Sequence, residues 1–365
     1  MDFDTEIKDF FLYCVRVGIS KDMIAPRSRL SFFDNLDWSL LQDFASQQGL
    51  AAVVIDGLEK LPVGQRPPKQ VLLQWIGEVL HGYEYRYELY KQTIAGLAAF
   101  YNQHGFKMML LKGYACSLNW PKPEHRPCGD IDIWQFGQYK EADAALSKEM
   151  GIKVDYSHHH HTVFYWHNFM VENHYDFINI SRHKSHVGLE ALFKELGQDD
   201  SNYIELNGAK VFLPSPNHHA LFLLRHSLNH FVSMGINLRQ VLDWAFFVEK
   251  HTKEIDWEWF LSVLDEFHMR DFFNCLNAIC IVDLGFSVDI FPQVELNPKM
   301  KESVLKDILT PEFTQNLPRC LFKRLIYLIR RWQGNAWKHK LCYNESRWSA
   351  FWSGIWAKLL KPTSI

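Results

Sequence analysis

The chain has no run of about 18 uninterrupted apolar residues, so the sequence offers no membrane-crossing helix. The closest approach, residues 272–286, is broken by Asn274, Asn277 and Asp283 and reads as a buried amphipathic helix. The first residues are acidic and polar at helical spacing, without the basic start and apolar stretch of a secretory signal. No C-x-x-C pair occurs, and the seven cysteines are scattered and odd in number, so neither a disulfide framework nor a zinc knuckle is expected. Buried, inert thiols in a reducing cytoplasm are the simplest reading. A large surplus of one charge is also absent: the net charge is −3, which excludes a polycation built to coat nucleic acid. There is no internal repeat and no low-complexity tract beyond His158 to His161.

What is present is apolar mass. Hydrophobic residues make up 47% of 365 residues, with 27 Phe, 14 Tyr and 13 Trp, enough for a sizeable core. The periodicity divides the chain into a helical N-terminal region (1–104), an α/β core (105–213), a helical region (214–318) and a basic, Trp-rich C-terminal segment (319–365). In the first region, Asp37 stands before an apolar-periodic run as a helix start should, and residues 71–103 read as one long helix. In the core, strands are expected at 106–111, 130–136, 152–156, 162–166 and 169–178. A hairpin is expected around Asn207-Gly208, and a helix at 139–150. After Pro214 the helical period returns, at 218–231, 238–250, 257–267 and 271–284.

The chemistry concentrates between Leu110 and Ile133. On a strand, Asp130 and Asp132 point to one face and Ile131 and Ile133 to the other, so the isoleucines anchor the strand while two carboxylates project together. A divalent cation is the usual compensation for such a pair, and hard oxygen ligands favour Mg²⁺ or Mn²⁺. Upstream, Lys112-Gly113 turns from a strand into a helix, where bare backbone can approach phosphate oxygens. Downstream, Glu172 and His174 share one face of the 169–176 strand, with Val171 and Asn173 on the other. If that strand lies beside the first, Glu172 joins the aspartates. Asp176, on the same face, competes as third acid. Three carboxylates beside a glycine turn suit two-metal phosphoryl transfer.

This arrangement resembles the nucleotidyltransferase superfamily with the DNA-polymerase-beta-like fold. More closely, Leu111, Lys112, Gly113, Arg126, Pro127, Gly129, Asp130, Ile131, Asp132, Val171, Glu172 and His174 resemble the motif of a bacterial uncharacterised nucleotidyltransferase family, often encoded beside surface-polysaccharide genes. His226, His230, Leu238, Arg239 and Asp243 resemble that family's helical part. The resemblance implies an α+β fold, a small mixed sheet flanked by helical N- and C-terminal regions. It implies transfer of a nucleoside monophosphate from an NTP, with Mg²⁺ or Mn²⁺, to a sugar, polysaccharide precursor or small-metabolite hydroxyl. Under it, Asp130, Asp132 and Glu172 hold metal and do catalysis, with Glu172 helping to deprotonate the acceptor, and Lys112, Gly113 and Arg126 hold the triphosphate. One departure from the superfamily pattern is Tyr114, where Ser or Gly commonly follows the turn glycine. A degenerate fold that binds nucleotide or a partner without turnover is the alternative.

Three features stand apart. In the run His158 to His161, consecutive residues of an extended chain point to opposite faces, so at most alternate members can converge. His226/His230 and Arg239/Asp243 are i, i+4 pairs, the second readable as an ion pair. The segment 319–365 holds ten Lys or Arg against one acid, Glu345, with five interleaved tryptophans. It reads first as helix docked on the acidic body. Peripheral membrane contact is the second reading, and nucleic acid is not expected as a partner.

Overall fold

The computed structural model describes residues 3–20, 36–181, 183–293, 295, 297–313, 320–349 and 351–352. Its N-terminal part begins with helix α1 (Phe3–Ile19), then α2 (Trp38–Gln47), α3 (Ala51–Glu59), α4 (Lys69–Val79) and α5 (Tyr85–Gln103). Asp37 caps α2 as its position demands, its carboxylate accepting from the Leu40 amide at 3.1 Å. The helix expected over 71–103 is interrupted by a π turn, Leu80–Glu84, between α4 and α5. Gly57 of α3 sits where a Cβ would run into the Cys14 carbonyl of α1, so the two backbones approach closely there.

The α/β core runs β1 (Met109–Leu110), α6 (Tyr114–Ser117), β2 (Ile131–Trp134), α7 (Tyr139–Met150), β3 (His161–Trp166), β4 (Phe169–His174), α8 (Ser185–Gly197), β5 (Tyr203–Leu206) and β6 (Ala209–Phe212). Together they form an α+β fold with a six-stranded mixed sheet in the order β3-β4-β2-β1-β6-β5. Strands β2 and β4 are parallel neighbours, as are β1 and β6; the other pairs are antiparallel. The expected hairpin joins β5 and β6, with Asn207 and Gly208 both at positive φ, the backbone a tight two-residue turn requires. The expected strand at 152–156 does not form. Its trace is one isolated bridge, Asp155 to Val163 on the edge strand β3. With charge at Lys153 and Asp155, this stretch gives up pairing after one contact, as edge segments often do.

The helical remainder follows: α9 (Pro216–Ser233), α10 (Leu238–His251), α11 (Trp257–Glu266), α12 (Arg270–Ala278), α13 (Pro298–Leu309), α14 (Leu321–Gly334) and α15 (Ala336–Cys342). The helix expected over 271–284 ends in a second π turn, Ile279–Asp283. Two apolar clusters group the chain differently from the sequence segments. One packs α5 and α7 against Leu110, Ile131, Ile133, Phe164 and Val171. The other joins residues from α1 to α4 with α8 to α13, with α15 and with Met109 and Trp134. The sheet thus separates two cores, and alternation along each strand decides which residue serves which. Asp143 of α7 pins its helix to the sheet, accepting from Thr162 Oγ1 (2.8 Å) and Asn173 Nδ2 (2.9 Å). All seven cysteines are free, but Cys320 is exposed and Cys128 half-buried, so the expectation of seven buried thiols fails at those two.

Candidate functional site

The parallel pairing of β2 with β4 sets the site. Asp132 stands directly beside Glu172, and Trp134 beside His174. Because the β2 isoleucines and Val171 face the core under α5, the even-numbered residues face the opposite side. Asp132, Glu172 and His174 each offer a ligand atom within 4.8 Å of the others. His174 Nε2 lies 3.1 Å from Asp132 Oδ1 and 3.7 Å from Glu172 Oε2. Lys112 Nζ reaches the same Asp132 oxygen at 2.9 Å. Asp132 is buried, and its other oxygen, Oδ2, has no hydrogen-bond partner.

These contacts control ionisation. Burial opposes the charged imidazole of His174, but hydrogen bonds to Asp132 and Glu172 outweigh it and lift the group to about 9. Burial likewise opposes ionisation of Glu172, and His174, with Lys112 and His161 helping, more than offsets it and holds the carboxyl at about 2. His161, on the far side of Glu172 at 3.8 Å, is pushed down to about 4 by burial and by the charge on His174. Lys112 is raised because Asp132 and Asp130 overcome its desolvation.

A cleft of about 550 Å³ opens in front of β2. Lys112, Gly113, Arg126, Asp130 and Asp132 line it, together with His226, His230, Arg239 and Asp243 of α9 and α10. Gly113 has φ +61°, a conformation for which side chains are strained, and a Cβ there would strike the Tyr90 hydroxyl. That hydroxyl donates to the Asp130 carbonyl at 2.6 Å, tying the glycine turn to the aspartate strand through α5. Tyr114, the departure noted above, is buried and stacks on Tyr87 at 5.6 Å, so its ring serves the core.

The structure brings together most of the residues singled out from sequence, with a change of membership. Asp130 lines the cleft but lies outside the three-residue ligand group, which has His174 in its place. The signal for His174 was its alternation with Glu172. Asp176 follows the end of β4 and pairs with Lys194 at 2.5 Å, away from the group. Arg126 reaches the cleft with its guanidinium committed to Asp243: Nε and Nη2 donate to the two carboxylate oxygens at 2.7 and 2.9 Å. Arg239 stands 3.7 Å from the same carboxylate, so its i, i+4 pairing with Asp243 is real but secondary. The His158–His161 argument needs correcting. His160 and His161, though consecutive, both approach His174 closely enough to form a second ligand group, because a bend at 158–160 breaks the extended geometry just before β3 begins.

The site is thus an acidic pair on parallel neighbouring strands of a mixed sheet, beside a lysine–glycine turn and a cleft. The family model described as uncharacterised nucleotidyltransferase matches residues 34–281, and the chain belongs to that family. Among solved structures, an antigenic nucleotidyltransferase-like protein from Paracoccidioides brasiliensis is similar at 15% identity with a TM-score of 0.32. The match covers 44% of this chain and 75% of that one, a likeness too loose to add to the assignment. No curated protein matches the chain.

Proposed function

We propose that the protein is a metal-dependent nucleotidyltransferase moving a nucleoside monophosphate from an NTP to a hydroxyl of a sugar, polysaccharide precursor or small metabolite. The acceptor oxygen would attack the α-phosphorus, the bond to the β-phosphate would break, and pyrophosphate would leave. The observation that carries this reading is the side-by-side register of Asp132 and Glu172, with an unpartnered buried Asp132 oxygen at the edge of the cleft. The donor set fits a divalent cation: Asp132, Glu172 and His174 would hold one, with Asp130 lining the cleft in front of them. An imidazole among carboxylates suits Mn²⁺ at least as well as Mg²⁺. Such a cation would screen the triphosphate and activate the acceptor hydroxyl. A carboxyl held at about 2 is a better ligand than a base, which favours the ligand role for Glu172 over the deprotonating one. Lys112 and the Gly113 backbone are suited to phosphate oxygens. Arg126 can join them only by sharing its guanidinium with Asp243.

One observation favours the degenerate alternative. Lys112 and His174 already neutralise Asp132, where a cation would be wanted. Calorimetric titration of the four NTPs with Mn²⁺ or Mg²⁺, on the protein and on Asp130→Ala/Asp132→Ala, separates the two. Metal-dependent binding lost in the double variant, with pyrophosphate release on adding an acceptor, supports transfer. Nucleotide binding that needs no metal and survives the double substitution supports the alternative.

A further inference from the structure

Helix α14 is amphipathic in an unusual direction. Phe322, Ile326 and Ile329, spaced i, i+4 and i+7 on one face, are 70%, 38% and 44% exposed. The opposite side makes the contacts with the body: Tyr327 packs on Phe313 at 5.8 Å, and Leu328 and Trp332 face Val232 of α9 across a small cleft. Asn335, just past the helix, donates to the Val232 carbonyl at 3.2 Å. The helix carries four basic residues and no acid. Lys323 and Arg330, seven residues apart and both exposed, run along one border of the apolar stripe. Near the C-terminal end of the helix, Trp332, Trp348 and Phe351 form an aromatic cluster, with centroids 4.8 Å apart for Trp332–Trp348 and 5.2 Å for Trp332–Phe351. Trp348 and the adjoining Trp352 remain 61% and 56% exposed.

We propose that this face of α14, with Trp348 and Trp352, is a docking surface for an anionic lipid bilayer, on which the helix lies in the plane of the interface. Each part has a physical counterpart there. The apolar stripe enters the acyl boundary, the basic border meets acidic headgroups, and tryptophan favours the interfacial zone. With 14 residues the helix is too short to cross, and no described helix is long and apolar enough to do so. Nucleic acid would answer the charge but leave the aliphatic stripe wet. A second copy of the chain would cover the stripe but bring two basic borders together. The surface is independent of the transferase reading, so either can fail alone.

The test is flotation of the full chain with phosphatidylcholine vesicles, with and without phosphatidylglycerol. The same vesicles are tried with Phe322→Ser/Ile326→Ser and with Lys323→Glu/Arg330→Glu. All four positions are exposed, so unchanged melting temperatures establish that both variants fold. The expected result is co-flotation only with the anionic vesicles, released by salt and weakened at least about tenfold by each pair of substitutions. Failure of the full chain to float with anionic vesicles overturns the proposal, as does binding that neither variant weakens. So does binding of duplex DNA without vesicle binding, or a dimer in solution that the Phe322→Ser/Ile326→Ser variant dissociates.

Discussion

The Asp243 carboxylate is the point where α10 is fastened to the loop before β2, and Asp243→Asn tests how much of the architecture depends on it. The side chain is buried. It accepts from Arg126 Nε and Nη2 at 2.7 and 2.9 Å and from Trp120 Nε1 at 2.9 Å, with Arg239 a further 3.7 Å contact. Asparagine has the same shape but loses the charge and turns an amide donor toward a guanidinium donor. Arg126, itself buried, would keep its charge with no acid against it. Breaking a buried pair by removing one partner costs about 3–5 kcal/mol. Arg239 is partly open to the cleft and can hydrate, which places the loss toward the lower end. At about 2 cal/mol/K of unfolding entropy per residue, each kcal/mol lowers the midpoint of a chain this long by about 1.3 °C, so a drop of about 4–5 °C is expected in calorimetry. Arg126→Met in the same background removes the stranded charge and should recover part of that drop. A midpoint for Asp243→Asn within about a degree of the parent would refute the reasoning. So would a double variant less stable than the single one.

Two further outcomes follow from single positions. Gly113→Ala should cost about 2–4 kcal/mol, from a left-handed backbone with a Cβ driven into the Tyr90 hydroxyl, and less in a Tyr90→Phe background where the clash is relieved but the strain is not; chemical denaturation measures both. His218, buried between Phe177 and Phe193 with neither ring nitrogen hydrogen-bonded, is pushed down to about 3 by burial. Its folded pKa lies below its unfolded one, so the unfolded chain takes the proton first, and stability falls as pH drops from about 6.5 toward 3. That amounts to about 2 kcal/mol by pH 5 from this group. His218→Phe should flatten that part of the pH–stability curve, and an unchanged curve would rule out the assignment.

The legible part of this protein was local. Alternation on two short strands was enough to put Asp132, Glu172 and His174 on one side and the isoleucines and Val171 on the other, because a strand's period is fixed by its pleat. Asn207-Gly208 specified its hairpin, and Asp37 its helix start, because both requirements are met within a few residues. The family motif lay in the same stretch, which is why the chain could be assigned from its sequence. What the sequence did not contain was the set of partners. Whether residues 152–156 pair as a strand depends on the edge they meet, and here they make one bridge. The commitment of Arg126 to Asp243 spans 117 residues, and no spacing rule reaches that far. His160 and His161 converge because a bend precedes β3. The outward apolar stripe of α14 has the same period an inward one would have. Periodicity tells which residues share a face; only packing decides which face meets the core, since that depends on elements brought together from distant parts of the chain.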